Sequence, residues 1–158
     1  MRLLVVCLGN ICRSPTAEGL IRHRLEGASL ADRVTIDSAG TGDWHVGQAP
    51  DRRSIACASG HGIDLSGLRA RQIEPSDFHA FDWLLCADSA NLRDVRRLTP
   101  PGAPAQTALL LEWAGLEQRE VPDPYTGDAQ QFERVWALLE RAADGVVARM
   151  ARELGDGR

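Results

Sequence analysis

Apolar positions along this chain keep two rhythms, and the two alternate. Residues 3–7 form an unbroken run rich in branched side chains that stops at Gly9-Asn10, the pattern of a short strand buried on both faces. Ser14-Pro15 then reads as a helix entry. Pro is tolerated in a first turn, Glu18 stands near the positive end of the dipole, and Leu20, Ile21 and Leu25 recur at helical spacing. A second strand is expected at residues 34–38, followed by a Gly-rich stretch, 40–50, that carries Trp44 and His45 and is long enough to form a functional wall. Asp51 opens a helix that runs to about His61 and ends at Gly62. Residues 81–87 form a third buried strand leading into a helical segment at 89–97, and 107–111 form a fourth. From Ala129 to about Glu153, the positions Phe132, Val135, Trp136, Leu139, Ala143, Val146, Val147 and Met150 keep the three-and-four spacing of one apolar face. Four short strands separated by helices imply an α/β architecture of three layers, a four-stranded parallel sheet with helices on both faces, in a single domain over residues 1–158. No internal repeat, low-complexity tract or linker interrupts it.

Composition narrows the function classes. With 44% hydrophobic and 25% charged residues the chain has the usage of a folded globular domain, and its apolar runs are too short to span a bilayer. A net charge of -4 argues against sequence-independent nucleic-acid binding held by phosphate neutralisation. A local basic pocket for a small anion is compatible with it. All 18 basic side chains are Arg and none is Lys, which reads as base-composition bias in a bacterial source. The four Cys, at 7, 12, 57 and 86, form no CxxC pair and suit a reducing cytoplasm. The N-terminal apolar run is too short for a signal peptide, so no targeting segment is expected.

The most informative stretch is Cys7-Leu8-Gly9-Asn10-Ile11-Cys12-Arg13-Ser14. A Cys followed six places on by an Arg is weak evidence alone, because the Arg content gives a chance of about 0.4 that one of four Cys does so by accident. Placement supplies the specificity: the pair bridges the carboxyl end of a buried strand and the start of a helix, where open α/β sheets bind ligands. Residues 8–13 are enough to wrap backbone N–H groups around a tetrahedral anion, with the helix terminus adding positive potential. Arg13 offers a planar fork for two phosphoryl oxygens. The same groups should hold Cys7 as a thiolate, well below its free value of ~8.5, and so make it a nucleophile. Ser14 can donate to that sulfur, and Asn10 tolerates the positive φ that a closing turn demands. No GxxxxGK[ST] is present, which excludes a nucleotide P-loop of the Walker kind. A phosphoester also needs its leaving oxygen protonated. Asp123, clamped between Pro122 and Pro124, is the candidate acid, although Asp and Pro equally make an ordinary turn.

The segments 6–15 and Asp123-Pro124-Tyr125 together resemble the low-molecular-weight protein tyrosine phosphatases. Residues 37–41, 61–63, 70–72 and 88–92 extend the likeness over nearly the whole chain. The resemblance implies a flavodoxin-like (Rossmann-like) fold and hydrolysis of phosphotyrosine and small aryl phosphates through a cysteinyl-phosphate. In that scheme Cys7 is the nucleophile, Arg13 the phosphate clamp, and Asp123 the acid and later the base. It implies no metal or organic cofactor, inorganic phosphate as product, and Trp44 and Tyr125 as flat walls for the phenyl ring. The chain departs from the family pattern at Thr126, where many members carry a second Tyr, at Ala87, where many carry Met, and at Leu68-Arg69, where a His often precedes Ala-Arg-Gln. The last removes one hydrogen-bond support of Asn10.

Other readings stay open beside this one. Cys12 either captures an oxidised Cys7 as a disulfide or only closes the loop. Cys57 and Cys86 read as inert core, Trp113 and Trp136 as core, and Arg93, Arg96 and Arg97 as a solvated helix face. His23, His45, His61 and His79 show no paired metal-ligand spacing. A thiol-dependent arsenate reductase on a similar fold needs a relay of cysteines, but Arg93 stands seven residues after Cys86. In a protein arginine phosphatase a Thr occupies the place of Ile11. A phosphocysteine carrier or a non-catalytic phospho-binding module leaves the joint presence of Arg13 and Asp123 unexplained.

Overall fold

A computed structural model describes residues 1–155. Strand β1 (Arg2–Cys7) is flanked by β2 (Thr35–Gly40) and β3 (Trp83–Cys86), and β4 (Gln106–Leu109) completes a fully parallel sheet in the order β2-β1-β3-β4. The connections reverse direction across β1, so the crevice between β1 and β3 is the topological switch point. Helices α1 (Arg13–Gly27) and α6 (Ala129–Leu154) cover one face, packed on Leu3, Val5 and Cys7. The short α3 (Asp77–Ala80) and α4 (Ser89–Leu98) cover the other, where Phe78 and Val95 meet Leu4 and Val6. Alternate β1 side chains therefore enter opposite cores. Leu3, Leu4, Val5 and Val6 are at most 1% exposed, and their burial contributes roughly 6–12 kcal/mol before the entropy of ordering them. Such a strand is a stiff base for whatever follows Cys7.

The expected elements are present with shifted ends. The second strand runs two residues further than the pattern indicated, to Gly40, because Gly40 donates to Arg71 O and accepts from Ile73 N–H, which prolongs the pairing. The fourth strand stops at Leu109. Leu110–Trp113 turn into a one-turn helix, α5, whose apolar residues are as buried as those of a strand, so hydrophobicity alone could not separate the two. Likewise α3 has no periodic signal at four residues. Glu18 also stands elsewhere than expected. It lies in the second turn of α1, 4% exposed, with its carboxylate paired to Arg22 and accepting from Ser38, so it does not serve the helix dipole.

Helix α2 (Arg52–Gly60) packs against α6, opening at Asp51, whose carboxylate accepts from the Arg53 N–H as an N-cap. At Gly145 the α6 backbone comes so close to Ala114 that an added Cβ would lie 2.1 Å from the Ala114 carbonyl oxygen. Among the described residues no helix is long and apolar enough to cross a membrane.

Candidate active site

Residues 8–12 leave β1 and wrap over the N-terminus of α1. Asn10 sits at φ 56°, a left-handed conformation that Asn tolerates better than most side chains. Gly40 is required at the loop's back, because a Cβ there would stand 2.7 Å from Leu8 O and 3.2 Å from Asn10 N. Thr41 and Gly42 donate to Cys7 O and Leu8 O and so tie the loop to the end of β2. Helix α1 starts with no side-chain cap and no acidic residue in its first turn. Among the described residues the N–H groups of Gly9, Ile11 and Cys12 find no backbone acceptor. Unsatisfied donors at a helix N-terminus constitute an anion site.

The side chain of Asn10 is held by three hydrogen bonds behind the loop. The Arg71 N–H donates to Asn10 Oδ1 at 3.0 Å, so the other end of that amide is Nδ2, which donates to Ser14 Oγ (2.8 Å) and to Ser38 Oγ (2.9 Å). The Ser38 hydroxyl donates to Glu18 Oε1 at 2.6 Å, and Glu18 Oε2 accepts from Arg22 at 2.6 Å. Ser14 Oγ lies within hydrogen-bond distance of Cys7 Sγ, 3.0 Å away, and the Asn10 N–H donates to the same sulfur from 3.3 Å. Asn10 thus has every polar atom of its side chain partnered without the His that Leu68-Arg69 replace.

Arg13 is 4% exposed. Burial disfavours its charge, but the facing Cys7 sulfur and the Asp88 carboxylate outweigh that and hold its pKa above the ordinary Arg value. Nη1 donates to Asp88 Oδ2 (2.7 Å) and Val121 O (2.9 Å). Nη2 lies 3.9 Å from Asp123 Oδ2. Asp123 is half-exposed, and its Oδ1 accepts from the Tyr125 N–H at 3.1 Å. These groups meet in a cleft of about 160 Å³ with Cys7 at its foot, Leu8, Gly9, Ile11, Cys12 and Arg13 around it, and Trp44, His45, Asp123 and Tyr125 at its rim. Trp44 and Tyr125 are exposed, 67% and 48%. The residues expected from the sequence to form the phosphate site and its walls lie at this cleft or, for Asn10 and Ser14, directly behind it.

Several contributors were not singled out. Asp88, the N-cap of α4, orients Arg13. Its signal was an acidic residue just after a strand at the crevice side of the sheet. His45 forms a third wall, with its ring 6.4 Å from that of Tyr125. Arg53 reaches from α2 to the carbonyls of Tyr125 and Gly127 and lies over the Phe132 ring at 4.6 Å, bracing the loop that carries Asp123. The Arg53 guanidinium in turn holds the Asp51 carboxyl below its ordinary range. Cys12 is buried, and that burial, helped by the charge of Asp51, pushes its thiol up to about 12. Cys86, Trp113 and Trp136 are core as expected. Cys57 is not inert core: it is half-buried and its thiol donates to Glu133, with which His61 also pairs. Cys57 and His61 are four residues apart on one helical face, a ligand spacing that a search for paired histidines passes over. With Glu133 they form the one group of three among the described residues able to hold a metal ion, and it lies outside the cleft.

Residues 2–155 match the family model "Low molecular weight phosphotyrosine protein phosphatase". A low molecular weight protein-tyrosine-phosphatase of Streptomyces coelicolor is 41% identical over 162 residues, covering 99% of this chain and 97% of that protein. The crystal structure of a protein tyrosine phosphatase from Entamoeba histolytica, with Hepes in its active site, superposes with a TM-score of 0.90 at 32% identity, over 97% of this chain and 98% of that one. A Drosophila arginine phosphatase superposes with a TM-score of 0.87 at 27% identity, over 94% and 97%. The chain thus belongs to the low molecular weight phosphotyrosine protein phosphatase family.

Proposed function

We propose that the protein hydrolyses phosphotyrosine in protein substrates, and small aryl phosphates, in two steps. The phosphoryl group enters the loop, where the free N–H groups and Arg13 bind its equatorial oxygens. The Cys7 sulfur attacks phosphorus, the P–O bond to the phenol breaks, and Asp123 gives the leaving oxygen its proton. Asp123, now a carboxylate, takes a proton from water as that water attacks the cysteinyl-phosphate, which releases inorganic phosphate and regenerates Cys7. Trp44 and Tyr125 flank the phenyl ring, and a sulfur at the foot of the cleft favours a long aryl ester over a short phosphoserine. The observation that carries this reading is the convergence of Ser14 Oγ and the Asn10 N–H on Cys7 Sγ below a cleft whose walls hold both Arg13 and Asp123.

Two experiments test the roles. Cys7→Ser should abolish turnover while phosphate binding is kept, and substantial residual turnover would remove the nucleophile assignment. Asp123→Ala should harm esters with poor leaving groups far more than those with good ones, so equal losses across such a series would count against an acid role.

The second reading, a protein arginine phosphatase, is favoured by the likeness to the Drosophila enzyme and opposed by Ile11, whose apolar side chain at the cleft suits an aryl ester. Arsenate reduction is opposed by Arg93, which stands seven residues after Cys86 where the relay needs a second cysteine, and by the burial of Cys86 in the sheet. Comparing phosphotyrosine, phosphoserine, phosphoarginine and arsenate as substrates, with chelator present, separates the three. The Arg-only basic residues and the cysteine usage further support a bacterial, cytoplasmic enzyme, the net charge and short apolar runs support one that binds neither nucleic acid nor membrane, and the family likeness implies no cofactor.

A further inference from the structure

We infer that the seam between α2 and α6 carries a second site, for a thiophilic divalent cation of which Zn²⁺ is the natural representative, built from Cys57 Sγ, His61 Nε2 and the Glu133 carboxylate. The ligand atoms of the three residues all lie within 4.8 Å of one another. Cys57 and His61 stand one helical turn apart, on the last turn and the C-cap of α2, and so project to the same side. Glu133 meets them from the second turn of α6. Its Oε1 is 3.4 Å from Cys57 Sγ, and its Oε2 is 2.9 Å from His61 Nε2.

The dimensions and chemistry suit a metal. Bond lengths of 2.3 Å to sulfur and about 2.0–2.2 Å to nitrogen and oxygen require ligand-to-ligand edges of roughly 3.3–3.6 Å in a tetrahedron. The separations present are within rotamer adjustment of those edges. One sulfur, one imidazole and one carboxylate is a donor set that selects Zn²⁺ over Mg²⁺ or Ca²⁺. The imidazole is already oriented by stacking on Trp136, with ring centroids 4.6 Å apart and 11° between planes. Side chains 38% and 55% exposed at His61 and Glu133 leave the fourth position to water. Binding is a substitution: the S–H proton leaves to solvent, His61 binds through the lone pair of neutral Nε2, and the carboxylate turns from its two hydrogen-bond donors to the metal.

The site would act on what it joins. Cys57 packs against the cluster of Ile11, Cys12, Ala70 and Phe132 beneath the anion loop, and Glu133 follows the Asp123 loop by ten residues. A metal there fastens α2, which braces that loop through Arg53, to the helix into which the loop runs.

The test uses the full chain carrying Cys7→Ser and Cys12→Ser, so that no sulfur in the cleft can bind metal. With Co²⁺ as the probe, one equivalent should give a thiolate-to-cobalt charge-transfer band together with intense tetrahedral ligand-field bands, and Zn²⁺ should displace it and raise the melting temperature. Adding Cys57→Ser should abolish the band. His61→Gln and Glu133→Gln, at exposed positions that do not endanger folding, should each weaken Zn²⁺ binding by more than the 10–100-fold typical of losing an outer-shell partner. Absence of the band with Cys57 present would overturn the site, as would its persistence in Cys57→Ser. Weakening by Cys57→Ser but not by the other two variants would reduce it to a simple thiol adduct and overturn it equally.

Discussion

Arg13 is useful because it is already held before any substrate arrives. Asp88 and the Val121 carbonyl occupy Nη1, while Nη2 stands free of a close partner, so the guanidinium plane is fixed with donors left for phosphoryl oxygens. Asp88→Asn would turn an acceptor into an amide while keeping the side-chain shape. The lost charge-assisted bond is worth about 1.5–3 kcal/mol, and kcat/KM should fall about 10–100-fold. Inhibition by inorganic phosphate should weaken with it, and a change of less than about twofold in both would show that Arg13 needs no such anchor. Cys12 poses a different question at the same scale. Its thiol is pushed up to about 12 by burial and by the charge of Asp51, and peroxide oxidises a nucleophilic sulfur such as that assigned to Cys7 to the sulfenic acid. Cys12 can then attack the oxidised sulfur, expelling water and forming a disulfide that added thiol reduces. After peroxide, Cys12→Ser should therefore recover less activity on thiol treatment than the wild type. Equal recovery would leave Cys12 only a loop-closing role.

At the scale of elements, one close approach governs how the C-terminal helix seats. The α6 backbone at Gly145 passes so near Ala114 that Gly145→Ala places its methyl against a backbone oxygen, which cannot yield as a side-chain tip would. Overpacking of that kind costs roughly 1–3 kcal/mol, to be read as a lower denaturant midpoint with unchanged slope. An unchanged midpoint would mean that α6 slides freely on α5. Helix α6 was readable from the chain because its apolar face repeats over seven turns, and β1 because five apolar residues end at Gly9-Asn10. The Cys7–Arg13 loop was readable because both its ends are defined by these local signals. Asp88 and Arg53 were not, since their roles depend on partners 75 and 72–74 residues away that only the parallel crossover brings near. The pairing of Glu18 with Ser38, across 20 residues, failed for the same reason, its local surroundings resembling a dipole contact.

For the whole molecule, the absence of Lys makes alkaline behaviour unusually simple. With 18 Arg, no Lys and one Tyr, almost nothing but thiols titrates between about pH 9 and 12. Three thiols, Cys12 under the anion loop, Cys57 at the seam of α2 and α6 and Cys86 in the sheet, are pushed from 9.0 up to about 12, chiefly by burial. Folding therefore favours their protonated form. Below pH about 9 both states hold the proton and stability is insensitive to it; above that the unfolded chain loses the proton first and stability falls, until the folded thiols ionise near 12. Each buried thiol contributes a loss of about 1 kcal/mol per pH unit in that window. Denaturant unfolding under reducing conditions should show a steady decline in stability across it. Cys86→Ala lowers stability at neutral pH by leaving a small void, yet its alkaline decline should be shallower by about one thiol's share. The two effects have opposite signs as pH rises, so the curves of the variant and the wild type should converge toward pH about 12. Parallel curves would mean that the Cys86 sulfur reaches solvent before it ionises, and that the sheet opens locally at β3 rather than unfolding with the rest.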